Sequence, residues 1–150
     1  MVLTLNTASA VVSFATKAEE DTAAFYEHLA ANYPNGKDKF LSFAKENRKN
    51  KVTVERAYYG VISDALEACF SFKDGLNPET YSVETGLPEG ASYADAVRAA
   101  IEKERQIQKL YLDGAKLSEG LMADVVTAFK LMAKKRDARL AQLTTLAQAA

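Results

Sequence analysis

The chain has a single cysteine and a single histidine among its 150 residues. Cys69 alone excludes an internal disulfide and a cysteine metal cluster, and is read as a small buried apolar residue. His28 alone excludes any site that needs two imidazoles from one chain. An excess of charge of one sign is missing too: 19 Lys and Arg stand against 20 Asp and Glu, for a net charge of −1. No basic surface of the kind that binds nucleic acid follows from such a balance. No apolar run is long enough to span a bilayer, and the first residues lack the basic stretch of a signal peptide. A single, cytoplasmic domain over 1–150 is expected, of a size that buries a proper core. The three prolines lie only at Pro34, Pro78 and Pro88, leaving long intervals free for helix.

Those intervals carry a helical period. From about Ser9 to Asn32 the inward stripe is Val12, Ala15, Glu19, Ala23, Tyr26 and Ala30, widened by Phe14, Phe25 and Leu29. His28 shares the opposite face with Lys17 and Asp21 and reads as a surface histidine. Tyr33-Pro-Asn-Gly36 ends this helix. The second helix begins near Lys37 and is expected to reach about Phe72, with Gly60 as its weak point. From about 73 to 91 Gly and Pro punctuate a polar crossover of about 20 residues. Extended, it reaches roughly 60 Å, enough to run the whole side of a bundle. Ser92, with Asp95 three residues on, is a helix N-cap. The third helix runs to about Leu112 with Val97, Ala100, Glu104, Ile107 and Tyr111 inward, and Asp113-Gly114 to Gly120 makes a second hairpin turn. The fourth helix covers about 121–146. Tyr58, Tyr59, Phe72 and Tyr81 either line a ligand pocket or belong to the core or a subunit contact.

Polar residues interrupt the apolar stripes at matched places. On a wheel of 100° per residue, Phe40, Phe43, Ala44, Val54 and Tyr58 fall within about 60° of Asn47, and Asn50 follows one turn later. Phe129-x-x-Met-Ala-x-x-Arg136-x-x-Arg139 repeats Phe40-x-x-Phe-Ala-x-x-Asn47-x-x-Asn50. Glu19 precedes Tyr26 by the same two helical turns that separate Glu104 from Tyr111. All four helices therefore bring a polar position to about one level of a four-helix bundle.

Two helical hairpins with this internal echo and a long crossover resemble the ferritin-like proteins, and among them the rubrerythrin group, over nearly the whole chain. The resemblance implies an all-α, ferritin-like four-helix bundle of two antiparallel hairpins. It also implies a glutamate from the first and third helices and Glu-x-x-His from the second and fourth, holding two irons for a peroxidase or oxidase activity. Glu19 and Glu104 match the single glutamates. Asn47 and Asn50, and Arg136 and Arg139, stand where the two Glu-x-x-His motifs belong. Rotating helices two and four to bring in Glu46 and Asp137 would drag Phe40 and Phe129 out of the core. No metal and no catalytic residue is expected on these terms, Glu19 and Glu104 being residual ligand positions only. A buried network of Glu19, Asn47, Asn50, Glu104, Arg136, Arg139, Tyr26 and Tyr111 is expected in its place, which Lys51 could join. The matching function is a non-catalytic bundle that binds a protein partner or serves as a scaffold; the alternative is the iron enzyme. A homodimer is expected from the resemblance and from the apolar excess of Phe14, Phe25 and Leu29 on helix one.

Overall fold

The computed structural model of the chain describes residues 5–59, 71–81, 87–120 and 122–150. Four long helices dominate: α1 (Ala8–Asn32), α2 (Lys37–Tyr59), α3 (Tyr93–Ser118) and α4 (Ala123–Ala149). A strand β1 (Leu5–Thr7) precedes α1, and β2 (Ser71–Leu76) lies between α2 and α3. The fold is all-α with a small antiparallel ribbon attached.

Caps fix where the helices start. Thr7 accepts a hydrogen bond from the Ala10 amide at 3.1 Å, satisfying one of the free N–H groups of the first turn of α1. Ser92 and Asp95 form the reciprocal box at the head of α3: the Asp95 amide donates to Ser92 Oγ and the Ser92 amide to Asp95 Oδ2. Pro34–Gly36 makes a single tight turn between α1 and α2.

Three boundaries depart from the sequence reading. Ser71–Leu76 is strand, so the helical pattern does not carry to Phe72; Gly60 and Cys69 lie outside the described residues. The crossover is not wholly irregular, because β2 pairs with β1, Leu5 opposite Leu76 and Thr7 opposite Ser71. Leu5 and Leu76 both pack against the core, which ties the crossover to the start of the chain. Asp113-Gly114 is not a turn: α3 continues to Ser118, and the hairpin turn comes at Glu119-Gly120, where Gly120 takes φ 79°.

Gly114 is small for a packing reason. A Cβ there would stand 2.8 Å from Cε2 of Phe129, whose buried ring also packs edge-on against Tyr111. Gly114→Ala should therefore destabilise the protein by about 1–3 kcal/mol through overpacking, despite alanine's better helix propensity. Adding Phe129→Leu should return part of that loss; urea denaturation of the single and double variants checks it.

The hairpins α1–α2 and α3–α4 pack face to face, α1 on α3 and α2 on α4. Both of these contacts are antiparallel: Tyr26 meets Glu104 while Glu19 meets Tyr111, and Lys39 meets Gln142 while Asn50 meets Lys135. The interior holds two apolar clusters. One includes Val12, Ala15, Val54, Ile107, Tyr111, Phe129 and Met132; the other includes Ala23, Tyr26, Phe40, Phe43, Ala100 and Leu143. Between them every helix contributes a buried polar residue: Glu19 from α1, Asn47 and Asn50 from α2, Glu104 from α3, and Arg136 and Arg139 from α4. No helix among the described residues is long and apolar enough to cross a membrane.

The apolar excess on α1 is taken up within the chain. Phe25 and Leu29 are buried in the second cluster, and Phe14 packs on Tyr81 with ring centroids 6.4 Å apart.

Candidate functional site

The polar layer is built on buried charge pairs. Arg136, projecting from α4, bridges the glutamates of α1 and α3: its Nη2 donates to Glu19 Oε1 at 2.7 Å and its Nε to Glu104 Oε2 at 2.9 Å. Arg139, one turn on, donates from Nη1 to Glu104 Oε1 at 3.1 Å and to Asn47 Oδ1. Its Nη2 reaches Glu46 at 2.7 Å and the Phe43 carbonyl at 3.3 Å. Such planar guanidiniums can serve several acceptors at once, which an ammonium of the same charge does less well.

The tyrosines cross over. Tyr111 of α3 donates to Glu19 Oε2 of α1 at 2.6 Å, and Tyr26 of α1 donates to Glu104 Oε1 of α3 at 2.8 Å. This reciprocal exchange between antiparallel helices is what a pseudo-two-fold repeat produces when each tyrosine sits two turns from its own glutamate. The same rings shield the cations. Arg136 lies 5.7 Å from the Tyr111 centroid, and Arg139 lies 5.6 Å from Tyr26 and 4.9 Å from Phe43.

Electrostatics and burial oppose one another here. Burial pushes the Glu104 carboxyl up, but Arg136, Arg139 and the Tyr26 hydroxyl more than offset it and hold the group below its usual 4.5. Burial would also make Arg136 easier to deprotonate; Glu104 and Glu19 outweigh that and keep it firmly charged. Burial first, and then the carboxylates they face, hold the Tyr26 and Tyr111 phenols well above 10.0.

A pH dependence with two limbs follows. Glu104 keeps its proton off more readily when folded, so its contribution is complete above about 4.5 and is lost as pH falls through its lower folded value. Tyr26 and Tyr111 ionise less readily when folded, so theirs is complete below about 10 and is lost as pH rises beyond it. The melting temperature should be level between these limits and fall at both ends. In Tyr111→Phe the alkaline fall should be shallower. A series of thermal melts across pH checks both.

The residues of the layer do not suit a metal ion. A cation needs lone pairs, and all four carboxylate oxygens of Glu19 and Glu104 already accept hydrogen bonds. The layer's buried atoms left without partners are Asn47 Nδ2, Asn50 Nδ2, Arg136 Nη1 and Arg139 Nε, which are all N–H groups. Two guanidiniums beside such a point would repel an incoming cation. Among the described residues, no group of three His, Cys, Asp or Glu side chains is arranged to hold a metal.

Every residue expected in the network lies in this layer, although among the described residues Asn50 meets only Lys135, at 3.4 Å. Lys51 does not join it; its ammonium lies 3.8 Å from Glu20 near the surface. His28 is exposed beside Asn32. Asp137 stays outside, accepting from Gln108. Glu46 is the member that sequence reasoning missed. Its side chain is 45 % exposed yet meets Arg139, because Arg139 is long enough to leave the stripe and answer a charge at the rim. The pattern of Glu46 directly before Asn47 holds that signal only once Arg139 is known to reach across. Tyr58 is buried against exposed Tyr59, and Tyr81 donates to Asp113 at 2.7 Å. Comparison of the chain with protein-family models, with curated proteins and with solved structures finds no match.

Proposed function

We propose that this chain is a ferritin-like bundle in which a charge-paired layer stands where rubrerythrin-type proteins hold two irons. On this reading it acts by binding a protein partner or as a scaffold, without catalysis. The observation that carries it is the Arg136 side chain lying between Glu19 and Glu104, at 2.7 and 2.9 Å from their oxygens. Its guanidinium supplies in place the positive charge that two facing carboxylates would otherwise draw from a metal. Arg139 supplies a second. The two arginines and two glutamates sum to no net charge, which keeps the core intact without an added ion. Among the described residues of the layer the buried carboxylates are paired with guanidiniums and the tyrosines donate to them.

The test is the metal content of protein purified from iron-supplemented cells, with its near-ultraviolet spectrum. Iron well below one equivalent, and no charge-transfer absorption, is the expected result. Two equivalents of iron with such absorption would favour a peroxidase or oxidase instead.

A further inference from the structure

The outer flank of α2 is both apolar and basic. Leu41, Lys45, Lys49, Val52 and Arg56 succeed one another at helical spacing and line an open groove of about 630 Å³, with Glu27 of α1 on its other side. Leu41 and Val52 are 42 % and 43 % exposed. Helix α2 carries seven Lys and Arg against three Asp and Glu in a chain of net charge −1, so the excess of positive charge is local. Arg48 is already answered by Glu27, at 2.8 Å, and by Glu20. Lys45, Lys49 and Arg56 are exposed, and no carboxylate pairs with them among the described residues.

We propose that this groove docks an acidic amphipathic helix of a protein partner. Its apolar side chains would lie on Leu41 and Val52, and its carboxylates on Lys45, Lys49 and Arg56. A concave apolar floor with charges at its rim suits a helix that presents side chains at i and i+4, and the local field attracts an acidic one. A second copy meeting this face through its own would oppose like charges across a two-fold axis. A bilayer takes up a broad apolar face, which two half-exposed aliphatic side chains in a groove do not supply. The proposal deepens the binding reading above and rests on it for its role; its geometry is separate from the ion-pair layer. Failure of one test therefore leaves the other standing.

The probe is a labelled helical peptide of about four turns with Glu and Leu at i, i+4 spacing, titrated into the whole protein and followed by fluorescence anisotropy. Saturable binding that weakens as salt rises is expected. Lys45→Glu with Lys49→Glu, and separately Leu41→Asp, should each weaken it by about tenfold or more, with melting temperature unchanged because all three residues are exposed. A peptide with Lys in place of Glu should not bind. The proposal is overturned by no binding, or by binding that both variants retain. It is also overturned if phosphatidylserine vesicles sediment the protein while the peptide fails to bind. Light scattering that shows a dimer dissociated by Leu41→Asp would assign the groove to a second copy instead.

Discussion

Arg136→Ala should lower the unfolding free energy by roughly 3–5 kcal/mol, the cost of removing one partner from a buried charge set. The size follows from the contacts. Glu19 loses its only cationic partner among the described residues and keeps Tyr111, while Glu104 keeps Arg139 and Tyr26. A carboxylate with no countercharge is thus left at zero exposure, and it must take up a proton or let water in. The double variant Arg136→Met, Glu19→Gln should be much milder, since Glu104 and Arg139 then remain as a neutral pair and the arginine's volume is largely refilled. Chemical denaturation of the two variants beside wild type measures the difference. Equal losses would show that packing, not charge, sets the role of Arg136.

The second large effect is expected from installing six ligands of the rubrerythrin type. Asn47→Glu and Arg136→Glu, with Asn50→His and Arg139→His, leave Glu19 and Glu104 in place. The layer then changes from two acids against two guanidiniums to four acids with no guanidinium. Metal-free, these carboxylates repel one another and share protons, so the variant should melt well below wild type. Ferrous iron at about 100 times its dissociation constant contributes about 2.7 kcal/mol, or a rise of roughly 5–10 °C in melting temperature for a chain of this size. Glu46 bears on the outcome. In wild type it holds Arg139 at the rim; beside a histidine it can accept the N–H that orients the imidazole toward the metal.

The elements most legible in the sequence were those set by side-chain period. The stripe through Glu19, Tyr26 and Leu29 could only be helical, and Ser92 with Asp95 announced the head of α3. The level at which Glu19, Asn47, Glu104 and Arg136 meet followed from the repeat. What stayed hidden depends on distant partners. Strand β1 is too short for a period of its own and exists by pairing with residues more than sixty positions away. Gly114 carries the mark of a turn, but the Phe129 ring gives its missing side chain a packing role inside α3. The exchange of tyrosines between α1 and α3 needed the helices to be known as antiparallel neighbours. Glu46 needed the reach of Arg139.

Anaerobic calorimetric titration of wild-type protein with ferrous iron tests the central claim most directly. Arg136 and Arg139 occupying the charge-bearing centre predicts no saturable heat and no iron retained after gel filtration. Tight binding of one or two irons per chain would contradict it, because both guanidiniums would then have to leave Glu19 and Glu104.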